Sequence, residues 1–334
     1  MDLKKGKVLV IFTGGTFAMS AKEGRYLPFY SGEDIIKLIP ELNEIAEITP
    51  LTLWNIDSSN FQPRHWQILA QNIYKHYANY DGFVIVHGTD TMVYTASALS
   101  FMLQGLGKPL LLTGSQIPVH EKIASDGRLN LINAVRFALM DIGEVCIFFG
   151  TKLLRGTRTR KISGFHLEAF TTFNEPPLGE VGIKLKLYPW HKCRTNDKLK
   201  LKDNLGERVA LIKVFPGMDP CIISKLIELK VQGIVIEAFG AGNIPTEENS
   251  LIPPLKEAVS MGIPCVVCTQ CEMGAVEFIY ESGWKLKEVG VILAGDMTPE
   301  CSYVKLLWLL GQTKRMEVIS KLMVKNLVNE LNSV

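Results

Sequence analysis

The segment VLVIFTGGT, residues 8–16, joins five apolar residues to a turn of threonine and glycine. An apolar run of this length, rich in β-branched residues, is typical of a strand buried on both faces of a parallel sheet. The same arrangement recurs in FVIVHGTDT, residues 83–91. Ligands of open α/β sheets bind beyond the carboxyl ends of the strands, so both turns are expected at a functional edge.

Short apolar runs alternate with longer amphipathic segments along the rest of the chain. Further strands are predicted at residues 110–113 and 145–149, with helices around residues 66–77, 96–103 and 129–140. The pattern resumes after residue 208, with strands at residues 209–215, 234–238, 265–269 and 291–294 and helices at residues 222–229, 255–261, 299–310 and 315–331. This alternation predicts an α/β fold in which each of two domains is a mostly parallel sheet flanked by helices.

The chain has 334 residues, which at about 150 residues per domain suggests two domains. Residues 190–207 are polar, basic and poor in large apolar side chains. We therefore predict an N-terminal catalytic domain of residues 1–189, a linker of residues 190–207 and a smaller C-terminal domain of residues 208–334.

Composition excludes several classes of protein. Lys and Arg total 36 against 34 Asp and Glu, so the net charge of +2 offers no electrostatic footprint for nucleic acid or an anionic membrane. The apolar runs are far shorter than the roughly 18 residues of a membrane helix, and the one after Lys7 is too short for a secretion signal. Seven cysteines in apolar surroundings suit reduced thiols. A cytoplasmic protein is expected.

Threonine hydroxyls at the two turns are candidate nucleophiles or hydrogen-bond donors, although each turn taken alone suits an ordinary helix N-cap. A third segment, RGTRTRK at residues 155–161, follows another predicted strand and places Lys161 near the same edge. A neutral lysine can take the proton of a threonine hydroxyl. A solvated basic loop and a phosphate site are the alternatives for this segment.

Motifs for common cofactors are missing from the sequence. There is no phosphate-binding G-x-x-x-x-G-K-[ST] loop, and Gly240-Ala241-Gly242 lacks the third glycine of a dinucleotide fingerprint. The spacing of Cys265, Cys268 and Cys271 is similar to part of an iron–sulfur motif, but the apolar residues between them favour a buried strand. No metal and no cofactor are therefore expected.

The motifs together resemble the bacterial-type L-asparaginases, and the resemblance extends over essentially the whole chain. Further matching segments point to the cytoplasmic, type I branch: Asp57-Ser58-Ser59, Tyr94 to Leu99, Thr113 to Pro118, Gly242-Asn243 and Thr269-Gln270-Cys271. The resemblance implies an asparaginase-like fold and hydrolysis of L-asparagine to L-aspartate and ammonia without a cofactor.

The resemblance also implies roles for individual residues. Thr16 is implied to be the nucleophile that accepts the acyl group, with Tyr26 closing beside it from a loop, and Thr89, Asp90 and Lys161 form the second catalytic group. The implied substrate-binding residues are Gly15, Asp57, Ser58, Ser59, Gly88, Asp90 and Asn243. Asn243 is implied to reach the site of a neighbouring subunit, so a homodimer or homotetramer with shared active sites is expected.

The sequence departs from the family pattern at three positions. Ser59 stands where many members have glutamine. Some cytoplasmic members bind a second asparagine near the segment that corresponds to Cys271, and Arg160 and Glu237 replace residues that assist there. We therefore expect a rate curve without marked sigmoidality.

Two other functions stay open at this stage. The amidase subunit of a tRNA-dependent amidotransferase shares these motifs, but such subunits carry an additional N-terminal domain, whereas Thr16 lies in the first strand-turn here. A non-catalytic amino-acid sensor on the same fold is the other, since a fold alone does not guarantee activity. A sensor would have no need of Thr16 and Lys161.

Overall fold

The computed structural model describes residues 5–22, 25–121 and 124–332, without the side chains of residues 20–28. The chain divides into two compact units, residues 1–203 and residues 204–334. This division falls within the segment predicted as a linker; the limits of that linker, residues 190–207, stay a prediction.

The N-terminal unit contains fourteen strands and five α-helices among its described residues. The strands are β1 Lys7–Gly14, β2 Met19–Lys22, β3 Arg25–Pro28, β4 Glu47–Ile56, β5 Gly82–Val86, β6 Leu103–Gln104, β7 Leu110–Thr113, β8 Val145–Phe149, β9 Lys152–Arg155, β10 Thr159–Lys161, β11 Phe170–Thr172, β12 Gly179–Val181, β13 Leu185–Leu187 and β14 Lys200–Leu201. The helices are α1 Gly32–Leu38, α2 Leu42–Ile45, α3 Pro63–His76, α4 Met92–Met102 and α5 Gly127–Ala138.

An eight-stranded sheet in the order β13-β12-β9-β8-β7-β5-β1-β4 organises this unit. Strands β8, β7, β5, β1 and β4 are parallel to one another, and β9, β12 and β13 extend the sheet in antiparallel fashion. Every residue of β5, β7 and β8 is buried, because helices cover both faces of a parallel sheet. Val8, Val10 and Phe12 pack in one core cluster with side chains of α1 and α5.

The C-terminal unit is built on a smaller parallel sheet in the order β15-β16-β17-β18. Its strands are β15 Val209–Lys213, β16 Gly233–Ala238, β17 Cys265–Thr269 and β18 Ile292–Leu293. Its helices are α6 Cys221–Glu228, α7 Ile252–Ser260, α8 Glu281–Val289, α9 Pro299–Gln312 and α10 Met316–Met323. The predicted fold class, two mainly parallel α/β sheets in separate units, is thus confirmed.

Local sequence signals explain where several helices begin and end. Ser31 and Asp34 form a reciprocal capping box at the start of α1, and the Thr298 hydroxyl accepts a hydrogen bond from the backbone of Cys301 at the start of α9. Gly290 ends α8 in the left-handed conformation, which glycine adopts without steric cost.

The prediction of a terminal helix at residues 315–331 was wrong in length, since α10 ends at Met323. After it, the carboxylate of Glu330 accepts hydrogen bonds from the backbone of Leu327 and Val328. A buried charge organises this segment, and the apolar pattern alone did not reveal it. Strand β4 and helix α8 were also missed, because β4 is only partly buried and α8 has a mixed composition.

A buried ion pair in the C-terminal unit predicts a large stability effect. Lys305 Nζ lies 2.5 Å from Glu330 Oε1, both side chains have no solvent exposure, and Nζ also donates to the carbonyls of Met323 and Lys325. Lys305→Met should lower the free energy of unfolding of this unit by about 3–5 kcal/mol, because it leaves a buried carboxylate unpaired. Urea denaturation would measure the change.

The double variant Lys305→Met/Glu330→Leu is the control for this prediction. It removes both charges and should recover much of the lost stability. If the free energy of unfolding of Lys305→Met lay within about 1 kcal/mol of that of the unmodified protein, the prediction would be contradicted.

Candidate active site

Glycine turns bring three segments together at the carboxyl ends of β1 and β5. Gly15 has a φ of +80°, and a Cβ at this position would lie 2.4 Å from Gly88 Cα. A Cβ on Gly88 would lie 2.6 Å from Ser58 Oγ. Only glycine permits this backbone approach, so the turns at residues 13–16 and 87–91 and the loop at residues 57–59 are in contact.

Lys161 lies beside Thr89 and Asp90. Its Nζ is 2.8 Å from Thr89 Oγ1 and 2.6 Å from Asp90 Oδ1. The Lys161 side chain is 20% exposed and the Asp90 side chain is 61% exposed. The lysine is therefore mostly buried, and the carboxylate faces solvent. An amine at this distance from a hydroxyl is within reach for direct proton transfer.

The hairpin of β10 and β11 positions this lysine. Lys161 pairs with Phe170 on the neighbouring strand, so the amine is carried by a β-hairpin rather than by the solvated basic loop considered from the sequence. That loop interpretation was wrong, because Arg155 and Arg158 are almost fully buried. Arg155 donates to Glu144 at 2.6 Å and to Glu175 at 3.0 Å. These carboxylates occupy the guanidinium, which also argues against a phosphate site there.

The loop at residues 57–59 is held against the turn after β5. Thr91 Oγ1 donates to the carbonyl of Ser58 at 2.8 Å. Asp57 Oδ1 accepts from both the backbone and the hydroxyl of Ser59, at 2.8 and 2.7 Å. Ser58 is buried while Asp57 and Ser59 are exposed. The loop therefore presents hydroxyl and carboxylate groups at the same edge as Thr89.

Thr16 opens the 3₁₀ turn Thr16–Ala18 directly after Gly15 and is half-buried. Phe17 and Ala18 are buried and anchor the turn. Since Gly15 contacts Gly88, the residues that follow them, Thr16 and Thr89, leave the sheet at the same edge. The backbone of Tyr26 pairs with Ala21 in the β2–β3 hairpin, while its side chain lies outside the described residues.

Asn243 belongs to the C-terminal unit. It follows β16, and its backbone bridges to Phe239. Its Oδ1 accepts a hydrogen bond from the hydroxyl of Ser282 at 2.6 Å. Its expected contribution to the site of a neighbouring subunit stays a prediction.

Sequence reasoning gave no role to Gln116, which the structure places beside Thr89. Its Oε1 lies 3.5 Å from Thr89 Oγ1, and its Nε2 donates to the carbonyl of His166 at 3.2 Å. The Gln116 backbone is held by Asp126, a carboxyl whose pKa is raised by burial. The signal available was the position of residues 113–118 directly after a buried strand.

His87 is a buried part of the turn after β5. Its Nδ1 lies 2.7 Å from the carbonyl of Gly88, so this nitrogen carries the proton, and its Nε2 accepts from Thr95 Oγ1 at 2.9 Å. Trp66 Nε1 donates to the same hydroxyl at 3.0 Å. Burial lowers the pKa of His87 to about 4. The neutral ring thus orients the Gly88 backbone.

This depressed pKa predicts a pH dependence of stability. The unfolded chain takes up a proton at His87 near pH 6.5, while the folded protein does so only near pH 4, so stability is lost as the pH falls between these values. The shifted pKa of His87 should lower the free energy of unfolding by about 3 kcal/mol as the pH falls through this range. The measurement is urea denaturation across this pH range.

The matched control is His87→Gln, which does not titrate. Its stability should depend less steeply on pH between 6.5 and 4 than that of the unmodified protein. Equal slopes for the two proteins would show that His87 is protonated in the folded state over this range.

The cysteines around β17 do not form a cluster. Cys265 and Cys268 are buried, and their thiols contact the carbonyls of Ile263 and Ile236, while Cys271 is exposed. The helices within residues 5–22, 25–121 and 124–332 are all too short or too polar to be membrane spans.

Comparisons with known proteins extend over both units. A family model described as Asparaginase, N-terminal, matches residues 7–192, and one described as Glutaminase/Asparaginase C-terminal domain matches residues 208–323. L-asparaginase 1 of Escherichia coli K12 is 39% identical over 341 residues, covering 98% of this chain and 99% of that protein. A glutamyl-tRNA(Gln) amidotransferase subunit of Pyrococcus abyssi is 38% identical over 342 residues, covering 97% of this chain and 76% of that protein.

Solved structures agree with these sequence matches. The thermostable L-asparaginase from Thermococcus kodakarensis superposes with a TM-score of 0.91 at 35% identity, over 98% of this chain and 100% of that one. L-asparaginase I from Vibrio cholerae gives a TM-score of 0.90 at 37% identity, over 98% and 99%. A probable cytoplasmic L-asparaginase from Campylobacter jejuni gives a TM-score of 0.83 at 28% identity, over 96% of this chain and 100% of that one.

Proposed function

This chain belongs to the asparaginase family of amidohydrolases, and from that premise we propose that it hydrolyses L-asparagine to L-aspartate and ammonia. The observation that carries the proposal is the contact of Lys161 Nζ with Thr89 Oγ1 and Asp90 Oδ1. This group lies on the turn whose Gly88 packs against Gly15, the residue before Thr16.

In the first step, the Thr16 hydroxyl attacks the carbon of the substrate's side-chain amide. The hydroxyl proton passes to the leaving nitrogen, the carbon–nitrogen bond breaks, and ammonia departs, which leaves an aspartyl ester on Thr16. Backbone N–H groups of glycine-rich turns suit the charge that develops on the carbonyl oxygen. The half-buried position of Thr16 at the start of an anchored turn supports this assignment.

In the second step, water attacks the ester carbon and releases aspartate, returning the proton to Thr16. The Thr89 hydroxyl and the Lys161 amine form a short path for that proton, with Nζ and Oγ1 2.8 Å apart. Asp90 holds the amine in place from the other side. Gln116 approaches the same hydroxyl and positions it. No metal or other cofactor takes part in the steps proposed.

The proposed substrate is a free amino acid, which carries an ammonium and a carboxylate. The exposed carboxylate of Asp90 offers an ionic partner for the ammonium. The hydroxyl of Ser58 and the backbone N–H of Gly88 offer donors for the carboxylate, while the Gly15 N–H donates to the Ile56 carbonyl and the Ser59 hydroxyl donates to Asp57, which fixes the backbone around the carboxylate. Asp57, which holds Ser59, sets the position of that loop.

Ammonia release measured with asparagine and then with glutamine tests the proposed function. We expect the purified protein to hydrolyse asparagine without a partner protein. Its kcat/KM for asparagine should be higher than its kcat/KM for glutamine. An extra methylene in the substrate changes kcat/KM by about 10–200-fold at most in an apolar pocket. A folded protein that binds asparagine but releases no ammonia would instead be an amino-acid sensor.

A second candidate function is the amidase subunit of a tRNA-dependent amidotransferase. The observation that favours it is the 38% identity to the amidotransferase subunit of Pyrococcus abyssi over 97% of this chain. The two functions differ in their need for a partner. Full asparagine turnover by the isolated protein supports the free-standing enzyme, and activity that appears only with an amidotransferase partner and charged tRNA supports the alternative.

We further propose a cytoplasmic homo-oligomer, a homodimer or a homotetramer. The similarity to a protein described as a probable cytoplasmic L-asparaginase supports the location, as do the seven free cysteines. If Asn243 completes a neighbour's site, the dimer is the smallest active unit. Activity should then fall on dilution in step with dissociation, measured by light scattering. Unchanged turnover in a solution of monomers would contradict this prediction.

A further inference from the structure

Three side chains with metal-binding atoms converge in the N-terminal unit, and none of them belongs to the group around Thr89. A carboxylate oxygen of Asp141, a ring nitrogen of His191 and Sγ of Cys193 all lie within 4.8 Å of one another. Within the described part of the chain this is the only such group of three. Asp141 lies in the turn after α5, and the other two lie in the segment after β13.

The sulfur–nitrogen separation is close to the value required by a tetrahedral zinc ion. Sγ of Cys193 is 3.7 Å from Nε2 of His191. With zinc–sulfur and zinc–nitrogen bonds of about 2.3 and 2.0–2.1 Å, tetrahedral geometry separates sulfur and nitrogen by about 3.5 Å. A small side-chain adjustment therefore allows both atoms to bind one ion.

The imidazole of His191 is held in the tautomer that a metal requires. Its Nδ1 lies 2.5 Å from the carbonyl of Tyr188, and since a carbonyl only accepts, Nδ1 carries the proton. Nε2 then presents its lone pair toward Cys193. A hydrogen bond from the non-ligating nitrogen to a backbone carbonyl is the usual support of metal-bound histidine.

Backbone contacts hold the two ligand-bearing segments at a fixed distance. The backbone of Arg194 donates to Asp141 Oδ1 at 2.8 Å, and the backbone of Gly143 donates to the carbonyl of Lys192 at 2.7 Å. A Cβ on Gly143 would lie 2.3 Å from the carbonyl oxygen of Cys193, so only glycine permits this approach. The ligands are thus preorganised without the ion.

The neighbouring cations are hydrogen-bonded to backbone carbonyls and form no hydrogen bond with the three ligand side chains. The Arg194 guanidinium donates to the carbonyls of Met140, Ala138 and Asp81, and the Lys192 amine donates to the carbonyl of Leu106. The Arg194 charge also attracts the Asp141 carboxylate, so a bound ion would compete with this attraction. Binding of a divalent ion would displace the proton of the Cys193 thiol into solvent, and the resulting thiolate and the Asp141 carboxylate would supply two negative charges to the ion.

We propose that Asp141, His191 and Cys193 bind one divalent transition-metal ion of the zinc type, with solvent as the fourth ligand. Sulfur and imidazole ligands favour zinc over magnesium or calcium, which prefer oxygen. The ion would tie the turn after α5 to residues 191–193 and stabilise that part of the unit. This site is independent of the proposed asparagine hydrolysis.

Calorimetric titration with Zn²⁺ tests the proposal, using untagged full-length protein first freed of metal with a chelator. We expect one ion per chain. Cys193→Ala and His191→Ala should each weaken binding by at least about 100-fold, since even groups that only support metal ligands contribute about 10–100-fold. Co²⁺ should give a thiolate-to-cobalt absorption band that is absent from Cys193→Ala.

Cys221→Ala is the matched control. This thiol is also exposed and lies beside a carboxylate, Asp219, but it belongs to no group of three metal-binding side chains among the residues that the structure describes. Zn²⁺ binding should be unchanged in that variant. Equal losses in Cys193→Ala and Cys221→Ala would show only nonspecific thiol binding and overturn the proposal.

Alkylation of the unmodified protein tests the site even if a variant fails to fold. Cys193, Cys221 and Cys271 are all exposed. Zn²⁺ should slow iodoacetamide labelling of Cys193 and leave Cys221 and Cys271 unaffected, as followed by peptide mass mapping. Uniform labelling with and without the ion, or the absence of saturable binding, would overturn the proposal.

Discussion

Thr16→Ala should lower kcat for asparagine by at least about 10⁴-fold, because it removes the hydroxyl that we propose as the nucleophile and the site of the covalent ester. The fold should be unaffected, since Thr16 is only half-buried and the turn is anchored by Phe17 and Ala18. Steady-state ammonia release gives the rate, and rapid-quench mass spectrometry detects the aspartyl adduct.

Thr16→Ser is the matched control, because it keeps a hydroxyl and removes only a methyl group. It should form the adduct and retain measurable turnover. An aspartyl adduct that persists in Thr16→Ala would move the nucleophile to another residue, and Thr89 would be the first to test.

Lys161→Met should lower kcat by about 10²–10⁴-fold, the usual contribution of a general acid or base. The amine contacts both Thr89 Oγ1 and Asp90 Oδ1, so its loss breaks the proposed proton path and leaves Asp90 without its partner. Lys161→Arg should not restore the rate, because a guanidinium stays charged and cannot accept a proton. Single-turnover kinetics would show which of the two steps is slowed.

Lys152→Met is the control for this prediction. It removes the same charge from β9, where the amine lies 3.9 Å from Glu168 on an exposed surface, and kcat should be unchanged. Near-normal turnover by Lys161→Arg with an unaltered pH profile would reduce Lys161 to an electrostatic anchor for Asp90.

The sequence alone was sufficient to predict the central architecture. Runs such as Val8–Phe12 and Phe83–Val86 are apolar over their full length, because strands covered on both faces have no polar side. Glycine at their ends indicated where two turns come into contact, since the close backbone approach of Gly15 and Gly88 requires residues without Cβ. These signals depend only on neighbouring residues in the sequence, so they can be recognised before the fold is known.

Groups that depend on distant residues were decided by the tertiary structure alone. The charge of Arg155 indicated an exposed loop, but Glu144 and Glu175 pair with it and allow its burial. Lys161 was placed near the edge by position in the sequence, while its contact with Thr89, 72 residues away, depends on the β10–β11 hairpin. Asp141 and Cys193 are separated along the chain and meet only because Gly143 lets two backbones approach. Sequence pattern reports how a residue relates to its neighbours along the chain, and charge pairing and metal geometry require the distances that only the folded backbone sets.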